Sequence, residues 1–390
     1  MWLAPECPYP MYGGGALRAA SVLEYLARHY EVDAVLFREP RAPDPQASLP
    51  DGLVRDLLVV DLPYHSRTTL ARALRNVARL ARDASPLVDR FAGFGRCLTS
   101  FLNGRRYALG VIEHFWCAPY WEQIALYCQR TVLNLHNIDS EWHARAAAAT
   151  SGARSLAHRR FRNSTLDLER QWLPRYSLVL AASHEDAVRA SAIAPQARIA
   201  VYPNAIPRVE RPRSMEEDVI IFSGSFEYEP NRAAVRFFRR SIWPRLRERW
   251  PHLRWRLVGR NPEAVRRFTE GDRRIECTGP VDDAVSHLAR AKVVVVPLLT
   301  GSGTRLKIIE AWAAARAVVS TTLGAEGLPA KAGQHLLLED APGRFAEAVS
   351  RLLQSPEQRE RLGKAGRELY LGELTWQAAW TKLAAVLRSL

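Results

Sequence analysis

The chain has little cysteine, and no pattern in the cysteine it has. Cys7, Cys97, Cys117, Cys128 and Cys277 are an odd number of thiols in 390 residues, and no pair has C-x-x-C spacing. A disulfide framework and a cysteine zinc site are thereby excluded, and a reducing cytosol fits best. Long apolar runs are missing too. The longest, near Val293, falls far short of the roughly 20 residues that a membrane-spanning helix needs. The first residues, MWLAPECPYP, lack the basic start and apolar stretch of a secretion signal. The expected location is the cytoplasm, with peripheral attachment at the inner face of the cell membrane left open. Neither a tandem repeat nor a low-complexity tract appears. No carboxylate cluster or histidine pair has metal-ligand spacing, so no metal and no cofactor is expected.

What is present is apolar mass and positive charge. A 47% hydrophobic content over this length is enough for two cores of ordinary size. The 55 Lys+Arg against 41 Asp+Glu leave a net +14, which favours an anionic partner: a nucleotide, a phospholipid surface or a nucleic acid. No nucleic-acid reading motif accompanies the charge, so nucleic acid is not expected as a partner.

Strand and helix patterns alternate almost throughout, the mark of parallel α/β sheets. Strands are expected at 2–5, 32–37, 57–62, 109–114, 130–135, 178–182 and 199–202, with a long Arg- and Ala-rich helical region at 67–103. PNAIPRVERPRSMEED, residues 203–218, reads as a linker because it is proline-rich, charged and poor in apolar residues. A second series follows, with strands at 219–223, 254–258, 274–277, 292–298 and 317–320. The expected architecture is two successive doubly wound domains, 1–208 and 209–374, with ligands off the C-terminal ends of the strands.

VPLLTGSGTRLKIIEAWAAARAVVST, residues 296–321, carries the most chemistry. It reads as a buried strand, a small polar loop and a helix opening near Thr304. Such a helix start offers free N–H groups and the positive dipole end to an anion. Arg305 and Lys307 add charge, and Glu310 offers an acceptor pair suited to a vicinal diol. Phosphates and a ribose at one helix end suggest a nucleotide-linked substrate. Gly13-Gly14-Gly15 follows the first strand and lets backbone approach a ligand, although a flexible turn is an equal reading. His136 and Asn137 end one strand, and Glu113 and His114 end its neighbour, on the edge where such folds place chemistry. Asp33 lies too early in its strand to read a ribose. Asp282 and Asp283 read as a helix N-cap, not as metal ligands. Arg260, after the strand at 254–258, either meets a phosphate or is a solvated turn residue.

On these residues the chain resembles family 4 glycosyltransferases, which have the two-domain GT-B fold. The resemblance covers nearly the whole length. FSGSFEYEPN, GSGTRLKIIEAWA, TTLGAEGL and a late TW carry it in the second half; YPMYGGGALR, VIEHFWCAPY, LNLHNIDSE and VYPNAIP carry it in the first. It implies two Rossmann-like domains facing a deep cleft, the donor on the second and the acceptor on the first. The last helix, 375–390, would cross back onto the first domain.

The family's donor motif is a Glu–seven residues–Glu. Its second Glu matches Glu310, which by resemblance holds the ribose hydroxyls; its first falls at Ser302, a departure that Gly303 and Thr304 N–H groups would partly offset. The family's diphosphate-neutralising Arg and Lys fall about at Ser225 and Asn231, so Arg305 and Lys307 are the expected substitutes, with Arg232 weaker. His136 matches a histidine beside the transferred sugar. Gly14 and Gly15 match the loop over donor phosphate and acceptor. Arg260, Val281 and Glu326 complete the expected substrate contacts.

The implied activity is metal-independent transfer of a sugar, with retained configuration, from a nucleotide-diphosphate sugar to a glycan or lipid-linked acceptor of surface polysaccharide synthesis. An anionic membrane is a further expected contact. Two alternatives stay open: another enzyme of this fold, an epimerase or phosphorylase, and a non-catalytic partner in glycan assembly.

Overall fold

The computed structural model describes residues 1–66, 68–301 and 305–390. The chain forms two compact units. The first is Met1–Asn204 with Trp380–Leu390, and the second is Ala205–Ala379; the expected boundary was 208/209.

The first unit is built on seven strands: β1 Trp2–Ala4, β2 Asp33–Arg38, β3 Asp56–Asp61, β4 Tyr107–Glu113, β5 Cys128–Asn134, β6 Leu178–Ala181 and β7 Ile199–Val201. They lie in the order β3-β2-β1-β4-β5-β6-β7, every pairing parallel. Trp2 and Leu3 in β1 are fully buried, as are Ala34, Val35 and Leu36 in β2. Sheets covered by helices on both faces need such uninterrupted apolar strands. The helical region at 67–103 resolves into three helices, Thr69–Ala81, Pro86–Phe91 and Gly95–Leu102. Asp33 is a structural residue, not a ribose reader. Its buried carboxylate takes both Arg55 and Arg105 at the start of β2, with Tyr107 Oη donating as well.

The second unit holds β8 Val219–Ser223, β9 Arg254–Val258, β10 Ile275–Cys277, β11 Val293–Val296, β12 Val318–Ser320 and β13 Leu337–Leu338. Their order is β10-β9-β8-β11-β12-β13, again parallel. The pattern of apolar residues missed β13, whose two residues are too few to show a period. The expected linker is not loose. Glu216 binds Arg316 and Arg359, and Glu217 binds Arg254 and Arg256. Ile206 pairs with Thr375, its N–H bonding to Leu374 O. In the last helix, Trp376–Arg388, the chain returns to the first unit: Trp380 donates its indole N–H to Ser21 and stacks under Arg28.

Each sheet reverses its winding once, between β1 and β4 in the first unit and between β8 and β11 in the second. Crevices for ligands open at such points, at the carboxyl ends of the strands.

Candidate functional site

In the first unit the crevice collects the ends of β1, β4 and β5. Asn134 is the last residue of β5, and His136 stands in the bend two residues after it. Glu113, the last residue of β4, is fully buried and receives three donors: Trp2 Nε1 at 3.1 Å, Asn134 Nδ2 at 2.7 Å and His136 Nε2 at 2.8 Å. Burial raises its pKa to about 7, and Trp2, the Arg18 charge and Asn134 oppose the rise. Arg18, on the helix Gly14–Ala27, is buried behind this group. It bonds Asn134 Oδ1 at 2.6 and 3.0 Å, Tyr202 O at 2.6 Å and Asn204 Oδ1 at 2.9 Å.

Burial and the Arg18 charge hold the pKa of His136 well below the usual imidazole value, so the ring is neutral near pH 7. Trp2 and Asn134 can only donate to Glu113, so they favour its carboxylate, the form that accepts a proton from His136 Nε2. His136 then carries its proton on Nε2 and turns a lone pair outward on Nδ1. That Nδ1 is buried and has no hydrogen-bond partner among the described residues. It lies 3.6 Å from where a Cβ on Gly15 would stand, and the same Cβ would be 3.7 Å from His114 Nε2. The His114 ring stacks on His136 at 3.5 Å and on Trp116 at 4.2 Å. A backbone φ of 63° at His114 turns the chain out of β4 to make this possible. Gly14 opens the helix over the same region. A cavity of about 840 Å³ opens beside Trp116, lined also by Phe91, Arg96, Asn103, Tyr120 and Gln123.

The second crevice carries ionisable side chains. Lys307 lies in the helix Leu306–Ala313, which starts two residues later than expected. Its ammonium donates to Asn231 Oδ1 at 2.8 Å and lies 4.6 Å over the Phe222 ring. Asn231 in turn donates to Ser225 O at 2.8 Å. Two glycines make room. At Gly259 (φ 140°) a Cβ would stand 2.0 Å from Gly224 O, and at Gly224 (φ 151°) one would stand 2.7 Å from Asn231 Nδ2. Neither position tolerates a side chain.

Burial pushes the Lys307 pKa down to about 7, helped by the neighbouring Arg305 charge and opposed by Glu310. Glu310 is half-buried, and burial raises its pKa, with Lys307 opposing and Asp283 adding to the rise. Arg305 is buried at the helix N-cap, not turned to solvent. Arg305, Lys307 and Glu310 thus stand at the positive end of one helix, where a bound anion would favour the charged form of the lysine.

Arg305, Lys307 and Glu310 stand together at the start of the helix Leu306–Ala313. Ser302, Gly303 and Thr304 lie outside the described residues. Arg260 is exposed, although its carbonyl accepts Phe226 N–H beside Gly224. Val281 is half-buried in the loop after β10, and Asp283 caps the following helix through Ser286 N–H, as its N-cap reading required. Glu326 is half-buried at the end of the turn Leu323–Ala325. Arg232 is engaged by Glu229 in its own helix.

Sequence reasoning missed Arg18, Asn134 and Asn204. The i, i+2 spacing of Asn134 and His136 was a usable signal; nothing local marks Arg18. It also missed a pair of acids behind Trp116. The pKa of Asp139 is raised to about 8 by burial and by Glu169, and Glu169 holds Ser140 N–H at 3.0 Å.

Residues 217–355 match the family model for glycosyl transferases, group 1. The second unit is therefore a glycosyl transferase domain, and the chain is an enzyme of the transferase class. No curated protein matches the chain. Among solved structures, sucrose-phosphate synthase from Thermosynechococcus elongatus is similar at 18% identity and TM-score 0.74, covering 100% of this chain and 98% of that one. HepE from Anabaena, in complex with UDP and glucose, is similar at 14% identity and TM-score 0.69, covering 100% and 99%. The α,α-trehalose-phosphate synthase (UDP-forming) of Burkholderia vietnamiensis is similar at 14% identity and TM-score 0.65, again covering 100% and 99%. At these identities the likeness establishes the fold: two Rossmann-like parallel α/β domains of the GT-B type.

Proposed function

We propose that the protein is a retaining glycosyltransferase of the family 4 type, which moves a sugar from a nucleotide-diphosphate sugar to a glycan or lipid-linked acceptor in surface polysaccharide synthesis. One observation carries the reading. In the domain that matches the group 1 model, Lys307 is held by Asn231 at the β8/β11 crevice, with Glu310 one turn further along the same helix. The positions where the resemblance expects basic residues are those whose polar groups now hold Lys307 in place. In this role Lys307 and Arg305 neutralise the diphosphate as its charge grows on departure, and Glu310 takes the ribose hydroxyls. Gly259, Arg260, Val281 and Glu326 line the donor's approach from the neighbouring strand ends.

In the first unit the outward lone pair of His136 accepts a sugar hydroxyl, while Gly14 and Gly15 leave space above it. The cavity beside Trp116 is the room for an acceptor. Its aromatic walls and neutral amides suit sugar faces and hydroxyls. No step is assigned to a metal ion. Among the described residues no three His, Cys, Asp or Glu side chains gather as an ion-holding group, and the two cations at the helix start take over charge neutralisation.

The test is a thermal-shift panel of UDP-, GDP- and ADP-sugars, followed by product analysis. UDP-sugars come first because HepE was solved with UDP and glucose. A specific donor should add about 2.7 kcal/mol of apparent stability at 100 times its Kd. The anomeric configuration of the product, read by NMR, decides retention. Turnover should persist in excess EDTA. A panel without a responding sugar nucleotide sinks the proposal, and release of a sugar phosphate from inorganic phosphate turns it into a phosphorylase.

A further inference from the structure

We propose that the helix Thr69–Ala81 seats the first unit on an anionic lipid surface. Its sequence, TLARALRNVARLA, divides cleanly around the helix axis. Leu70, Leu74, Val77 and Ala81 fall on one side, and Arg72, Arg75, Arg79 and Arg82 on the other. A helix on a globular protein ordinarily buries the apolar side. This one is docked the other way round. Arg79 is buried and donates to Asp89 at 2.8 Å, Arg82 reaches the same carboxylate at 3.2 Å, and Arg75 donates to Ser66 O at 2.7 Å. Leu70, Leu74 and Val77 are left 72%, 62% and 63% exposed, and Tyr64, just before the helix, 65%.

Charge identifies what covers the stripe. Residues 67–82 hold five arginines and no acid, and residues 151–166, in the helix packed alongside, hold four arginines and no acid. That second helix, Gly152–Trp172, exposes Leu156 to 69%, with Arg159 and Arg160 one turn further along. The nearest acids are engaged: Asp83 with Arg160, and Asp89 with Arg79 and Arg82. Leucines and a valine to enter the headgroup boundary, a tyrosine at the rim and exposed arginines for lipid phosphates are the composition of an interfacial helix. No helix among the described residues is long and apolar enough to cross a membrane, so the contact is peripheral. The inference does not depend on the donor site. It does bring the chain to the surface where a lipid-linked acceptor would lie.

The test is co-sedimentation of the full chain with vesicles of phosphatidylcholine alone and of equimolar phosphatidylcholine and phosphatidylglycerol. Binding is expected to the anionic vesicles only, and to weaken as salt rises. The double variant Leu70→Gln/Leu74→Gln should bind at least about tenfold more weakly, because both side chains lose their apolar burial in the bilayer. Unchanged circular dichroism would show that it folds. Should it not fold, Arg154→Glu/Arg159→Glu replaces it, with loss of anionic-vesicle binding expected. Equal sedimentation of parent and variants overturns the proposal, and so does a failure of the parent to bind. A parent dimer in light scattering that the leucine variant abolishes also overturns it, by assigning the stripe to a second copy of the chain.

Discussion

At the β1/β4 crevice polar groups satisfy one another. Glu113 takes three donors, Arg18 makes four bonds to three residues, and His136 keeps one nitrogen open. At the β8/β11 crevice the groups are ionisable, with Arg305 and Lys307 coupled to Glu310 at a helix start. The same winding produced both crevices, and the side chains at the strand ends gave them opposite electrostatics. At the first crevice the groups bond one another and leave the His136 Nδ1 open. At the second crevice two basic side chains and one carboxyl stand at a helix start. The difference is energetic: a fully bonded buried network is rigid, whereas like charges in low dielectric raise their own free energy until a counter-charge arrives.

The sharpest break of this contrast is Lys307→Ala. Leaving-group charge peaks in the transition state, so kcat should fall by roughly 10²-fold or more while nucleotide binding falls less. Steady-state kinetics on the true donor and acceptor decide it, and a near-normal kcat would return the diphosphate to Arg232 or Arg260. On the other side, Glu113→Gln leaves Trp2, Asn134 and His136 competing for a single carbonyl oxygen. Urea titration should show a loss of about 1–3 kcal/mol, the cost of one buried donor left unsatisfied. A smaller effect than that would mean the network is not cooperative.

Glu310→Gln keeps its shape and loses charge-assisted bonds to the ribose. Donor affinity by calorimetry should drop about tenfold, with the fold intact. The pH dependence sharpens the electrostatic half of the contrast. Lys307 has its folded pKa lowered to about 7, so in the free protein it is charged below that pH and neutral above it. Nucleoside diphosphate affinity should therefore weaken as pH rises through 7, by at most about tenfold per unit. Lys307→Met should flatten the curve. The stability sign is opposite: the unfolded chain holds more protons between 7 and the ordinary lysine pKa, so this group's cost to folding shrinks as pH climbs through that window. An equally steep affinity curve in the methionine variant would assign the titration elsewhere.

The smallest structural change is Gly15→Ala. Its Cβ would meet His136 Nδ1 at 3.6 Å, ordinary contact at a helical position without positive φ. Stability should hold or rise by up to about 1 kcal/mol, yet turnover should fall because a methyl fills the space over the open nitrogen. Unchanged turnover would mean that nothing binds there.

Much of this was legible in the chain. Runs such as VVVV at 293–296 and VIIF at 219–222 announce doubly covered strands, and the break at Pro203 announces a change of unit. Lys307 and Glu310 are three apart on one helix, so local spacing alone puts them on roughly one face. His136 follows the end of a strand, and that edge is where such folds bind ligands. These signals are short-range, and periodicity reads short range well. What only the tertiary structure decided is long-range. Arg18 meets Asn134 and Tyr202, more than a hundred residues away. Lys307 finds Asn231 across 76 positions. The helix Thr69–Ala81 shows a perfect amphipathic pattern, and nothing in that pattern says which side faces out. Its orientation was decided by Asp89 and Ser66, which take its arginines inward. A pattern ranks the faces of an element by polarity; the partners that choose between those faces come from elsewhere in the chain, and only folding brings them together.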